Sequence, residues 1–164
     1  MTGITAIMAS IFAYGIVCAA PITGLALFLA ATPGRAEHSA SDTATLDVVI
    51  HGARSVKGVV RLMVCPPDAG FPDCGKRALR SATLSIEKGR AFVRFVDIPA
   101  GTYAIGVFHD GNGNGKLDML LGIPREGFGF SRNPPLRPRA PHFEEAMMPM
   151  RASVQVDITL RYII

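Results

Sequence analysis

The stretch Ser153-Val-Gln-Val-Asp-Ile-Thr-Leu-Arg161 decides the fold class. Val154, Val156, Ile158 and Leu160 alternate without a break with Ser153, Gln155, Asp157, Thr159 and Arg161. A period of two places the two sets on opposite faces of a strand, one buried and one wet. The pattern recurs upstream. Leu46, Val48 and Ile50 alternate with Thr45, Asp47 and His51, and Gly58-Val-Val-Arg-Leu-Met-Val-Cys65 is an apolar run with Arg61 as its one charge. Leu84 and Ile86, then Ala91, Val93 and Phe95, flank Lys88-Gly89, which reads as the two-residue turn of a β-hairpin. Asp97-Ile-Pro-Ala-Gly-Thr-Tyr103 reads as a second turn, in which Pro99 presets φ and Gly101 supplies a positive φ. Tyr103–Phe108 is a further strand. One helical turn fits at Glu144–Met148. The expectation is an all-β domain over residues 45–162, an antiparallel β-sandwich of about seven strands.

At 164 residues, one domain is expected. The 17 basic and 13 acidic side chains all lie from Arg35 onward, and residues 1–34 carry neither charge nor histidine. This split excludes a polytopic membrane protein, a coiled coil and a collagen-like chain. Residues 1–36 read as a leader, an apolar helix followed by small residues. Gly34 and Ala36 stand at −3 and −1 of a signal-peptidase cut after Ala36. The rival reading is an uncleaved membrane anchor through residues 4–31, since about 20 apolar residues span a bilayer. The run has no preceding Lys or Arg and is long for a signal, and Pro21 and Gly24 interrupt it. Residues 37–44 read as a polar spacer. Both readings put the domain outside the cytoplasm, periplasmic or extracellular, or tethered to the membrane.

Cysteine usage agrees with export. Beyond the leader there are two, Cys65 and Cys74, in Cys65-Pro-Pro-Asp-Ala-Gly-Phe-Pro-Asp-Cys74. So short a loop brings the pair within bridging distance, and an oxidising compartment favours the bond. The alternative is two free thiols. A zinc site lacks a second Cys/His pair. After residue 36 the balance is 16 basic to 13 acidic, and no aromatic-basic motif points to nucleic acid.

Residues 110–151 form a long segment rich in Gly, Pro and Arg, and segments of this kind in compact domains are often functional. It begins Asp110-Gly-Asn-Gly-Asn-Gly-Lys-Leu-Asp118, which matches the first nine positions of an EF-hand-type loop. Ca²⁺ takes six to eight oxygens. Asp110, Asn112 and Asn114 would occupy positions 1, 3 and 5, the Lys116 carbonyl position 7 and Asp118 position 9. Gly115 permits the turn, and Leu117 would pack inward. Position 12 is Leu121 instead of the bidentate Glu, and Glu126 is the nearest later carboxylate. Two sure carboxylates imply weak binding, on the order of 10⁻⁴–10⁻³ M. The bland alternative is a glycine turn whose Asp and Asn side chains cap their own backbone. Arg125, Phe128, Phe130, Arg132 and Asn133 then make a candidate ligand-facing loop; the alternative is that Phe128, Phe130 and Phe143 pin the loop over a sheet edge.

Signals for covalent catalysis are weak. There is no G-x-S-x-G, and His38, His51, His109 and His142 form no Ser-His-Asp order. An enzyme reading would use His109 or His142 with Glu126 and Arg125.

Three blocks resemble one exported bacterial family, the domain of unknown function numbered two-one-four-one. They are Asp97–Tyr103, Val107–Asp118 and Gly122-Ile-Pro-Arg-Glu-Gly-Phe-Gly-Phe-Ser-Arg-Asn133. The resemblance spans about residues 45–162, including Phe143-Glu-Glu-Ala146, and implies no activity. The Pro99-x-Gly101-Thr102-Tyr103 turn is also similar to transthyretin-like (prealbumin-like) and collagen-adhesin B-type sandwiches, which implies that topology. The tail Leu160-Arg-Tyr-Ile-Ile164 is unlike that of a transthyretin-related hydrolase. The expectation is therefore a non-enzymatic exported module with a weak calcium loop, presenting residues 119–150 to an envelope protein or glycan. The alternatives are a periplasmic enzyme around His109 and Glu126, and a structural envelope protein without ligand.

Overall fold

A computed structural model describes residues 43–164 of the chain. The leader, its cleavage point and its apolar helix lie outside the described residues, as does the spacer up to residue 42. The expected start of the domain moves by two residues. Strand β1 runs Thr43–His51, and Ala44 is already buried in the core.

Nine further strands follow: β2 (Val59–Cys65), β3 (Arg80–Leu84), β4 (Arg90–Pro99), β5 (Gly101–Asp110), β6 (Met119–Leu120), β7 (Ile123–Pro124), β8 (Phe128–Phe130), β9 (Met148–Met150) and β10 (Val154–Thr159). The one helical turn foreseen near Glu144 is α1, Phe143–Ala146. One sheet has the order β10-β1-β4, and the other β3-β2-β5-β8, with β9 also paired to β5. Residues of alternating phase from both sheets meet in a single core. Leu46, Val48, Ile50 and Ile158 come from one sheet, and Val60, Leu62, Val64, Ile105 and Val107 from the other. The whole core cluster lies between Ala44 and Tyr162, and His38–Ile164 forms a unit of its own. A unit with its own core and its own strand partners folds alone.

Three expectations are corrected. The strands are not all antiparallel, because β1 pairs β10 in parallel, Leu46 opposite Val154 through His51 opposite Thr159. No hairpin imposes a direction on these two, since the whole second sheet is threaded between them. The stretch around Lys88-Gly89 is not a paired hairpin. Lys88 (φ 49°) and Gly89 (φ 77°) do make the left-handed turn, and Glu87 and Arg90 exchange both backbone hydrogen bonds. The arms then part, β3 onto β2 and β4 onto β1, so the turn carries the chain from one sheet to the other. The second turn is again a crossing between sheets. There the left-handed residue is Asp97 (φ 54°), at a bulge that shifts the register so that Ile98 points inward. Gly101 serves by its small size: a Cβ there would stand 2.9 Å from Tyr103 Oη, which donates to the Pro99 carbonyl at 3.1 Å.

Cys65 and Cys74 stand at disulfide distance, Cα to Cα 5.8 Å. Their loop folds over the outer face of β5. Phe71 meets Phe130 and Phe143 edge-on at 5.6 and 6.2 Å between ring centroids. Strand β8 closes the neighbouring edge, bonding to β5 along one side while Phe128 and Arg161 exchange backbone hydrogen bonds beyond the end of β10. Only a glycine fits at the crossing, because a Cβ on Gly129 would lie 2.7 Å from Ile158 Cγ2.

Candidate functional site

The site begins where β5 ends. His109 and Asp110 are the last two residues of the strand, and both are buried. A buried carboxylate needs a cation or several donors, and Asp110 has both. Its Oδ2 accepts from Arg61 Nε at 2.5 Å and from the Gly115 amide at 2.9 Å, and its Oδ1 accepts from the Asn114 amide at 3.0 Å. Burial pushes its carboxyl up; Arg61 and the Gly115 and Gly113 amides outweigh that and hold it below the usual range. Arg61, the single charge in the β2 run, thus finds its partner on the adjacent strand.

The remainder of the loop curls over this anchor. Asn112 Oδ1 accepts from the Asn114 amide at 3.0 Å, and Asn114 Oδ1 from the Lys116 amide at 2.8 Å. The side-chain amides of Asn112 and Asn114 donate to the two oxygens of Asp118 at 2.8 and 2.9 Å. Glu126 reaches back into the loop, where its oxygens accept from the Gly111 and Asp118 amides at 2.8 and 3.1 Å. Asp110, Asn112, Asn114, Asp118 and Glu126 are therefore joined in one hydrogen-bonded loop. Their oxygens are bonded to N–H donors, and among the described residues no three His, Cys, Asp or Glu side chains are placed to share a metal ion. A cation would have to displace the two asparagine amides from Asp118. Leu117 is half-buried and lines a groove outside the core cluster.

His109 does not face Glu126. Its Nε2 lies 2.8 Å from the Lys57 carbonyl, which can only accept, so Nε2 carries the proton. Its Nδ1 then accepts from Tyr162 Oη at 2.8 Å. His142 stands before α1, its backbone N–H donating to Glu145 at 2.8 Å.

Beside the loop lies a groove of about 370 Å³. Its floor is Phe128, Gly129 and Phe130, and its walls are Leu117, Ile123 and Pro124 on one side and the Pro134–Pro141 segment on the other, with Pro72 of the disulfide loop at one end. Arg161 ties the proline segment down by donating to the carbonyls of Pro134 and Asn133 at 2.6 and 3.0 Å. Arg137 and Arg139 share Glu145, at 3.3 and 2.7 Å, and the Arg139 guanidinium with the His142 amide holds the Glu145 carboxyl at about 2. Arg137, Arg139 and Arg161 are thus among the residues that line the groove, their guanidinium groups held by Glu145 and by backbone carbonyls.

Of the residues expected to face a ligand, Phe128, Phe130 and Asn133 line the groove; Arg125 and Arg132 are exposed and do not. The Asn133 side chain also binds the edge of β10, through the Asp157 carbonyl and the Thr159 amide, both at 2.9 Å.

The sequence profile of a family of uncharacterised proteins conserved in bacteria, DUF2141, matches residues 48–158. The chain belongs to DUF2141. No curated protein and no solved structure matches it. The DUF2141 match runs from within β1 to within β10, so it contains the Asp110–Glu126 loop, β8 and the proline segment. Within that span the sequence reading missed Ser131. This fully buried hydroxyl accepts from the Ile105 amide at 2.9 Å and donates to the Ala146 carbonyl at 2.5 Å, locking α1 to β5. Nothing local marks it, since a serine in a Gly/Pro/Arg-rich segment reads as surface. Tyr162 was missed because its partner His109 lies 53 residues away.

Proposed function

We propose that this DUF2141 chain is an exported, non-enzymatic β-sandwich binding module of prealbumin-like topology, with the groove beside β8 as its ligand site. The observation that carries the reading is that groove: apolar walls, an aromatic floor and three arginines. Its volume falls in the range of small-molecule sites. Apolar walls suit a hydrocarbon chain better than a glycan, whose hydroxyls would lose water without gaining partners. Arg137 and Arg139, exposed along one wall, suit an acidic end group. The ligand is thus an amphiphile with an anionic head, free or displayed by an envelope partner. The Asp110–Glu126 loop serves as the rigid wall that sets Leu117, Ile123 and Pro124 in place. The buried disulfide pair favours an oxidising compartment.

Isothermal titration of residues 38–164 with dodecanoate tests this. Saturable binding is expected, lost in Leu136→Asp, which alters an exposed groove residue and spares the core. Equal heats from both proteins would defeat the proposal.

Calcium on the Asp110–Asp118 loop is a second reading, favoured by the convergence of Asn112, Asn114 and Asp118 side chains on one point. There Ca²⁺ would replace the asparagine N–H donors and stiffen the groove wall. The periplasmic-enzyme reading would need His109 to leave the Lys57 carbonyl and Tyr162.

A further inference from the structure

Strands β6 and β7 form a two-stranded ribbon, Met119-Leu-Leu-Gly-Ile-Pro124, that is apolar along its whole length. Met119 is 53% exposed, Leu120 50%, Leu121 96% and Ile123 42%. Single exposed apolar side chains are ordinary, but a contiguous run of them marks an interaction site. The turn is Leu121-Gly122, with φ of 50° and 80°. Leucine stands where Asn or Gly would be easier, in a left-handed backbone that disfavours it, and its side chain points into solvent.

The two faces of the ribbon identify the occupant. Cross-strand partners share a face, so Leu120 and Ile123 lie on one side and Met119 and Pro124 on the other, with Leu121 at the tip. A folded protein partner would cover one face and leave the other wet. A bilayer surrounds an inserted tip on all sides. The charges beside the ribbon agree. Lys116 and Arg125 flank it and are exposed, and among the described residues neither side chain makes an ion pair. The nearby carboxylates Asp118 and Glu126 are turned into the loop onto N–H donors. Apolar side chains at a tip with cations behind them are the composition that holds a segment at an anionic lipid surface.

We propose that the β6–β7 ribbon is a membrane-docking tip, which inserts Met119, Leu120, Leu121 and Ile123 among the acyl chains of an anionic bilayer while Lys116 and Arg125 meet its headgroups. The inference stands whether or not the groove takes a ligand.

The experiment is co-sedimentation of oxidised residues 38–164 with phosphatidylcholine vesicles, with and without roughly a third phosphatidylglycerol. This unit folds alone and lacks the apolar leader, which would bind lipid by itself. Binding is expected with the anionic vesicles and weakens as salt screens the headgroups. Leu121→Asp should lower the partition coefficient about ten-fold or more, the equivalent of one lost apolar burial. Its melting temperature should hold, since Asp tolerates this backbone and the side chain touches no core. Leu120→Ser should act in the same direction more weakly. Phe92→Ser, at a site equally exposed on β4, should change nothing. Three results would overturn the proposal: no sedimentation, equal sedimentation of the wild type and Leu121→Asp, or a wild-type dimer in light scattering that Leu121→Asp dissolves without any vesicle binding.

Discussion

Asp110 is the residue on which the loop turns. It is fully buried, and its carboxylate serves one guanidinium and two amides of the following turn. Removing it strands Arg61, which is about one-third exposed, takes the acceptor from the Gly115 amide and leaves the Asn114 amide with Asn112 Oδ1 alone. Asp110→Ala should cost about 2–4 kcal/mol, read as a shift in urea midpoint, and it should do so equally in calcium and in chelator. A loss seen in calcium alone would make the carboxylate a metal ligand first and a structural anchor second. Asp118 is the better probe of the metal, because it carries no buried partner. If Ca²⁺ binds at about 10⁻⁴–10⁻³ M, millimolar Ca²⁺ should raise the melting temperature of the wild type, and Asp118→Ala should abolish the rise. An unchanged wild-type melt would leave the loop held by its own hydrogen bonds alone. The sequence named every member of this cluster except Arg61's part in it. It could not show that Asp110 would take Arg61 as its cation, because that partner comes from a strand 49 residues away.

At the scale of elements, strand phase was legible and strand pairing was not. Val154–Leu160 and Leu46–Ile50 face inward as their alternation requires, since burial of one face is written locally. The partners of β3 and β4 are set by which sheet each arm can cover, and a turn such as Lys88-Gly89 serves a crossing as well as a hairpin. The disulfide loop shows the same limit. Its cysteines were readable from spacing; its role as a lid on β5, with Phe71 against Phe130 and Phe143 and Pro72 at the end of the groove, was not. Cys65→Ser with Cys74→Ser should lower stability by roughly 2–3 kcal/mol, the entropy of closing so short a loop in the unfolded chain. It should also free the Phe71 wedge, so hydrogen exchange should quicken at Gly129–Ser131 while the β1–β10 ladder stays protected. Uniform quickening across both sheets would mean that the lid is no separate element.

For the whole molecule, the charge network fixes how the fold answers to acid. Asp47 is held low by Arg94, Asp157 by His51 and Gln155, and Glu145 at about 2 by Arg139 and the His142 amide. Asp110 is low despite its burial. Each of these carboxyls has a lower value folded than unfolded, so the unfolded chain binds more protons in acid and stability must fall as pH falls. The contribution is complete above the ordinary carboxylate values, 3.8 for Asp and 4.5 for Glu, and drains away below them, with that of Glu145 persisting down to about 2. These groups do not unfold the same region. Asp47 and Asp157 tie together β1, β4 and β10, whereas Glu145 ties Arg137 and Arg139 to α1 and so fixes one wall of the groove. Urea midpoints should therefore hold between about pH 6 and pH 5 and decline from there toward pH 3. Glu145→Gln should flatten the lowest part of that decline and, by freeing Arg137 and Arg139 from their shared carboxylate, tighten dodecanoate binding at neutral pH, where the core is untouched. A pH-independent midpoint would remove the electrostatic account of the fold. An unaltered dodecanoate affinity in Glu145→Gln would detach the arginine wall from the groove, leaving Phe128, Phe130 and Leu136 to bind by apolar contact alone.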